Sequence, residues 1–408
     1  MRSKTQGPGT VKTKPPGRKA KLTLKTRAKA MGVPGNASAP ARILVVADKF
    51  KGTLSAADAS GAIVKGWKSM RPQDQFDRLP MSDGGDGFGE VLGGLYKART
   101  HFVGTVNAAH RSIRAPWWWA GGQKLAVIET ARVIGPAGLA AKKFHPFQLD
   151  TYGLGRMLAA AVERGARHCV VGLGGSATND GGFGLGRALG WRFLDHSGQE
   201  LQQWWELSRL VRVIRPANAY GMEVTVAVDV ANPLLGRRGC SRVYGPQKGI
   251  LPEELAFAEK CLRQLAEVME ERSGKAHARV PGAGAAGGLG FGLMAFMGAK
   301  PRPGFEVFAQ AVDLPEHIRQ SDVVITGEGA LDRQTYMGKG VGQVLRLCRS
   351  SNVPCIALAG VVDPTVAGNG FFRTHALTDI ATLEQAKRRA RYHLERLSAM
   401  VASGWTGP

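Results

Sequence analysis

Apolar residues in this chain come in short runs that stop abruptly. "RILVVA", "HCVVGLGG", "EVTVAVDVANPLL", "SDVVITGEGALD" and "NVPCIALAGVV" each hold a run of four to seven apolar residues that ends at glycines or acids. Such runs predict strands. The stretches between several of them have apolar residues at helical spacing: "LSAADASGAIVKGWKSM", with Ser55 as its N-cap, then 151–164, 253–272 and 338–350. Strands alternating with helices predict a parallel α/β architecture. Residues 95–149 differ, with short alternating runs broken by turn residues, and predict an antiparallel part of a second domain. Within it, Trp117–Trp119 read as core-facing and interface aromatics of one strand.

In open α/β sheets, ligands bind at the carboxyl ends of the strands. Several loops that hold charge and glycine fall there. They are "DKFKGT" (Asp48, Lys49, Lys51), "MSDGGDGFGE" (Asp83, Asp86), "GLGGSATNDGGFGLG" (172–186), "VDVANPLLGRRG" (Asp229, Asn232, Arg238) and "TGEGALDRQT" (Glu328, Asp332), joined by "PGAGAAGGLGFG" (281–292). Seven of the fifteen residues in 172–186 are glycine, with Ser176, Thr178, Asn179 and Asp180 among them. Glycine-rich turns that open helices offer N–H groups to phosphate. Neighbouring acids can hold Mg²⁺ or deprotonate a hydroxyl, and a lysine can neutralise a phosphoryl group in transfer. Together these are the parts of a phosphotransferase. Each has a plainer reading: Asp-Gly pairs form turns, and Asp332 could cap a helix. "GAGAAG" matches a dinucleotide fingerprint by letter, but "KAHARVP" before it is a poor strand. No G-x-x-x-x-G-K-[ST], zinc spacing or G-x-S-x-G occurs.

Composition changes this picture mainly at the amino terminus. The 408 residues are 44% hydrophobic, enough for a sizeable core, and the 55 glycines follow no repeat. Of the net charge of +23, ten positive charges and no acid lie in residues 1–41, which leaves +13 on the rest. That segment is poor in apolar residues and is expected to be a disordered basic tail, at most a nonspecific contact for nucleic acid. It lacks a signal-peptide core, and no run approaches the ~20 apolar residues of a membrane span. Five cysteines without a C-x-x-C pair read as reduced and structural in a cytoplasmic protein.

At its loops the chain resembles the bacterial glycerate kinase family. The matching stretches are "ADKFKGTLSA", "LPMSDGGDGF", "TYGLG", "VGLGGSATNDGGFGLGRALG", "VAVDVANPLLGRRG", "YGPQKG", "PGAGAAGGLGFGL", "ITGEGALDRQT" and "VPCIALAG", in the family's order over roughly 42–360. The resemblance implies a flavodoxin-like α/β domain built from 42–95 and 293–402, an inserted α/β domain over 96–292, and a cleft between them. It implies phosphorylation of D-glycerate by ATP with Mg²⁺, to 2-phosphoglycerate or 3-phosphoglycerate. On this reading Asp180, Lys51 and Asp83 are catalytic, with Asp180 first as the base. Asp48, Arg238, Ser176 and Asn179 bind substrate; Gly174, Gly175, Thr178, Gly284 and Gly287 bind phosphate; Asp229, Glu328 and Asp86 hold metal. The chain departs from the family pattern at Lys49, where serine is usual, at Asp86 and Phe88, where glutamate and threonine are usual, and in "TARVIGPAGL" after Glu129. A kinase of another small hydroxy acid, or a ligand-binding regulator that kept the fold, are the alternatives.

Overall fold

The chain opens with β1 (Arg42–Ala47) and β2 (Gln75–Arg78), joined by the helix Ala56–Met70. It continues through β3 (Arg99–Val106), β4 (Ser112–Ala120), β5 (Leu125–Glu129), β6 (His168–Gly172), the hairpin β7 (Arg192–Leu194) and β8 (Arg212–Ile214), β9 (Glu223–Val228) and β10 (Lys300–Pro303). It finishes with β11 (Val323–Leu331), β12 (Cys355–Val362) and β13 (Arg373–Ala376). This is a computed structural model that describes residues 39–139, 144–217, 220–336, 340–366 and 370–407. The expected disordered tail lies outside the described residues, apart from its last three positions. No helix among the described residues is long and apolar enough to cross a membrane.

Two sheets organise these strands. The first has the order β13-β12-β11-β1-β2 and is parallel throughout. Counted as its strands enter, that order is 2-1-3-4-5, the flavodoxin order. Its inner strand β1 is buried on both faces, which is why it reads as an unbroken apolar run. Ile43, Val45 and Ala47 face a core completed by Trp67, Leu394, Leu397 and Val401. Leu44 and Val46 face another completed by Phe305, Phe308, Val344 and Leu345. Ser55 caps its helix as expected, accepting from the N–H of Asp58 at 3.1 Å.

The second sheet has the order β10-β9-β6-β5-β4-β3. β3, β4 and β5 pair antiparallel, as the alternating pattern predicts, and the rest pair parallel. Trp117 and Trp118 are buried on opposite faces of β4, in separate cores. The core that holds Trp118 also takes in Phe88 and Leu92 of the helix Phe88–Leu95, and Val307 of the helix Gly304–Ala311. It fastens the second sheet to the segments that lead out of and back into the first.

The chain returns to the first sheet later than the expected boundary at 292. Leu293, Met294 and Phe296 still pack in the core of the second lobe. β10 then adds to its edge beside β9. β10 is "KPRP", a four-residue edge strand with two prolines, which is where proline is tolerated in a sheet and where no apolar pattern announces one.

Candidate active site

In the flavodoxin order the ligand site falls where the topology switches, between the first and third strands. Here these are β1 and β11. Ala47 pairs with Gly327, so Asp48 and Glu328 leave the sheet side by side. The N–H of Asp48 donates to the carbonyl of Gly327 at 2.9 Å. The loop after β2 brings Asp83, and the end of β9 in the other lobe brings Asp229. A cleft of about 1310 Å³ opens over them, lined by Asp48, Lys49, Lys51, Ser82, Asp83, Asp86, Arg132 and Glu328 among others.

The acids perturb one another. Asp229 faces Asp83, and the two carboxyls disfavour charge on Asp229. Enclosure, then the charge of Asp83, pushes Asp229 up to about 8, although the N–H of Gly304 donates to it at 3.3 Å. Burial, then Asp83, pushes Asp48 up to about 7. Lys49 answers them. Its ammonium lies 3.7 Å from Asp83 Oδ1 and donates to the carbonyl of Asp86 at 3.4 Å. Burial works to lower its pKa, but Asp83, Asp48, Asp86 and Asp229 together hold it above the ordinary lysine value. A carboxylate cluster with pKa values near neutrality and one captive ammonium can take a proton from a hydroxyl and screen an arriving anion.

Glu328 is buried and accepts from the Thr335 hydroxyl at 2.7 Å. Asp86 is exposed on the cleft wall. Lys51, exposed in the same cleft, has no ion-pair partner among the described residues. Arg132 pairs with Glu129 at 3.2 Å and with Glu90. Glu129 is buried and accepts from the N–H groups of Gly87 and Gly89, so it holds the "DGGDG" turn against β5. Asp332 caps the short helix after it, accepting from Gln334 N–H at 2.7 Å.

A second cavity, of about 1030 Å³, adjoins the first, and Gly175 lines both. Its walls are partly apolar (Leu139, Phe144, Leu149, Tyr244) and partly the backbone of Gly174–Ala177, with Asp229 and Lys248 also lining it. Among the described residues, the N–H groups of Gly175 and Ser176 donate to no other group. The glycine-rich loop is braced from behind by the segment 281–292, whose backbone is left-handed at Ala286, Gly287 and Gly288. The N–H of Gly181 donates to the carbonyl of Gly287 at 3.1 Å.

Several expected site residues stand elsewhere. Asp180, the expected base, is fully buried beneath the loop. Its carboxylate accepts from Thr151 N–H (2.9 Å) and Oγ1 (2.7 Å), Gly184 N–H (3.0 Å) and Gly182 N–H (3.3 Å). It ties the starts of the helices Tyr152–Glu163 and Phe183–Ala188 together, a favourable place for a carboxylate. Burial, then Asp150, raises its pKa to about 6. Asn179 and Thr178 are also fully buried. Asn179 donates to Ser241 at 2.9 Å, and the Thr178 hydroxyl bonds to that of Ser176 at 3.0 Å. Arg238 is exposed and lines neither cavity. Gly284 and Gly287 serve packing: a Cβ on them would lie 2.3 Å from Pro233 O and 1.9 Å from Thr178 O.

Four residues at the site were not assigned a role from sequence. Lys49 stood out only as a departure from a pattern. Arg132 follows β5 by three residues, and Lys248 ends the helix Cys240–Lys248 inside a quoted motif. Ser82 has a buried hydroxyl with no partner among the described residues and lines the cleft. Position at the carboxyl end of a strand was the available signal for Arg132 and Ser82.

An open parallel α/β fold with an acid cluster at its switch point, beside a backbone-walled cavity, defines a class of enzymes acting on small polar metabolites. The comparisons narrow that class. The glycerate kinase family matches residues 43–406. A glycerate kinase of Halalkalibacterium halodurans is 35% identical over 373 residues, covering 89% of this chain and 98% of that protein. A glycerate 2-kinase of Escherichia coli K12 is 34% identical over 376 residues, covering 89% and 97%. The crystal structure of a Salmonella typhimurium LT2 protein assigned as glycerate kinase 2 superposes with a TM-score of 0.78 at 31% identity, covering 90% of this chain and 98% of that one. The chain belongs to the glycerate kinase family.

Proposed function

We propose that this protein phosphorylates D-glycerate with ATP, the hydroxy acid in the cleft over β1 and β11 and the nucleotide in the adjoining cavity. The observation that carries this is the meeting of the two cavities at Gly175, with the Asp83–Asp229 pair beside the junction. Lys51, a cleft cation without an ion-pair partner among the described residues, takes the glycerate carboxylate. Asp83 accepts the proton of the attacking hydroxyl as its oxygen bonds to the γ-phosphorus and the bond to the bridging oxygen of ADP breaks. Lys49 offsets the charge that gathers there. Asp83, with its neighbours near neutrality, replaces Asp180 as the base, since the oxygens of Asp180 are committed to helix starts.

Among the described residues, no group of three or more His, Cys, Asp or Glu side chains is arranged as a metal site. Mg²⁺ needs no such cage, because one or two carboxylates suffice when phosphates and waters supply the rest. Asp229 borders both the acid cluster and the nucleotide cavity and fits that demand. When bound, the ion neutralises phosphate charge and orients the terminal phosphoryl group. ATP supply and five buried, unpaired cysteines suit the cytoplasm.

The test is ADP release from Mg-ATP with D-glycerate, L-glycerate, glycolate, lactate and tartrate, the product position read by phosphorus NMR. Turnover on D-glycerate above all others supports the reading, and the NMR distinguishes the 2- from the 3-phosphate. Preferred turnover on another acid transfers the assignment to that acid and points to Arg132 and its segment. ATP binding without turnover on any of them favours a regulator that kept the fold.

A further inference from the structure

The second cavity contains a lysine with no acid to pair it. Lys248 is the last residue of its helix, and its ammonium turns inward to donate to the carbonyl of Thr178 at 2.6 Å. No carboxylate lies within ion-pair distance among the described residues. Burial presses its pKa down to about 8, against the opposing pull of Cys240 and Asp180. Neither supplies a counter-ion. Burial keeps the Cys240 thiol neutral, at about 11. Asp180 draws on the ammonium through its charge but forms no ion pair with it, its oxygens accepting from four N–H and O–H donors. The other titratable groups of the cavity are His145, which faces Glu254 at 3.0 Å, Asp229, which faces Asp83, and Tyr244, whose hydroxyl donates to Asn232 Oδ1 at 2.8 Å and is held neutral by burial. A half-buried cation answered by a carbonyl is an arrangement that an anion completes.

An independent observation marks the same wall. The N–H groups of Gly175 and Ser176 have no partner among the described residues, and both residues line this cavity with Lys248. Two adjacent free amides and a half-buried ammonium form a concave set of donors suited to one phosphate group. The carbonyl of Thr178 holds the ammonium in place when no anion is present.

We propose that Lys248 is the cation that binds a phosphate group of the nucleotide, with the amides of Gly175 and Ser176 completing the site. This rests on the placement of the nucleotide in this cavity. Lys248 thus contributes binding to the phosphate end of ATP, while the apolar wall receives the remainder of the molecule.

The experiment is calorimetric binding of ADP, adenosine and 2-phosphoglycerate to the full chain and to Lys248→Met and Lys248→Arg, at pH 6.5 and pH 9. ADP should bind the wild type at least tenfold more tightly at pH 6.5, where the lysine is charged, than at pH 9. Lys248→Met should bind ADP weakly at both, Lys248→Arg should keep binding at both, and adenosine should be indifferent to pH and substitution. In turnover, Lys248→Met should raise KM for ATP at least tenfold and leave KM for glycerate within twofold. Equal ADP binding by wild type and Lys248→Met overturns the anion role and leaves the lysine as a brace for Thr178. Weakened 2-phosphoglycerate with unchanged ADP overturns the placement of the nucleotide in this cavity. Should the methionine variant not fold, Lys248→Gln takes its place, and an ADP affinity in it equal to that of the wild type overturns the proposal.

Discussion

The acid cleft and the glycine-rich wall meet at Gly175 and are built in opposite ways. In the cleft, side chains do the work: around Asp83, the groups of Asp48, Lys49 and Asp229 crowd until their proton affinities depart from the ordinary. In the wall, the backbone does it. The polar side chains of Thr178, Asn179 and Asp180 turn inward and bond within the loop and its supports, although Asn179 Oδ1 has no partner among the described residues, and this leaves amides and a lysine toward the cavity. Two stretches equally rich in polar residues and glycine therefore have different roles. A polar residue near a strand end marks a site, but only its rotamer decides whether it meets the ligand or supports what does.

The most severe test of this contrast is Asp83→Asn, which removes the proposed base and keeps the volume. We expect kcat to fall about a thousandfold, in the range general bases supply, with the melting temperature nearly unchanged. A loss below tenfold in a coupled ADP assay would break the assignment. On the wall the expected damage is to stability. Gly287→Ala drives a Cβ to 1.9 Å from Thr178 O at φ +70, and strain and overpacking together should cost about 3–5 kcal/mol in urea unfolding. Asp180→Ala leaves four buried donors unanswered and should cost about 2–4 kcal/mol, while the enzyme that remains folded turns over within about tenfold of wild type. A thousandfold loss of kcat at full stability would instead restore Asp180 as the base.

Smaller effects sharpen the picture. Asp48 and Asp229 hold their protons up to about 7 and about 8, and the cluster works as a base only once charged. The rate at limiting glycerate should therefore climb between pH 6 and 8, by up to about tenfold per unit where one proton must leave, and then level off. A profile already flat at pH 6 contradicts the raised values. Lys51→Met should raise KM for glycerate about tenfold, the scale of one charge-assisted hydrogen bond, and leave KM for ATP alone. Arg238→Ala, outside both cavities, should change either constant by less than about twofold.

The parts of the fold that were legible were those buried on two sides. β1, β6, β9, β11 and β12 are central strands whose apolar runs have no other explanation, and the acids after β1 and β9 follow from the rule for strand ends. β10 and β13 are short and lie at sheet edges, so nothing in their composition sets them apart from loops. The domain boundary moved for the same reason. At the site, Asp48, Asp83, Asp229 and Lys51 come together as the loops suggest. Asp180 is expected at the phosphate but points to helix starts, because its place in a glycine-rich loop is identical for a residue aimed at phosphate and one aimed back at a helix start. Lys49 was seen only as an exception, since its partners come from the loop after β2 and from the far lobe.

One feature of the architecture has a bearing on how the protein is made. β1 leaves the ribosome early, yet its neighbour β11 lies roughly 280 residues later, and the Thr326 hydroxyl that bonds to Val46 O spans that gap. The helix Ala390–Ser403 closes the same core, with Ser398 Oγ donating to Ile63 O. During synthesis the middle lobe can assemble while the opening strand waits for its partner, an arrangement that slows folding and leaves a sticky edge exposed to other chains. The switch point, and with it Asp48 beside Glu328, exists only after β11 has emerged. A chain that ends before β11 thus has no assembled acid cluster.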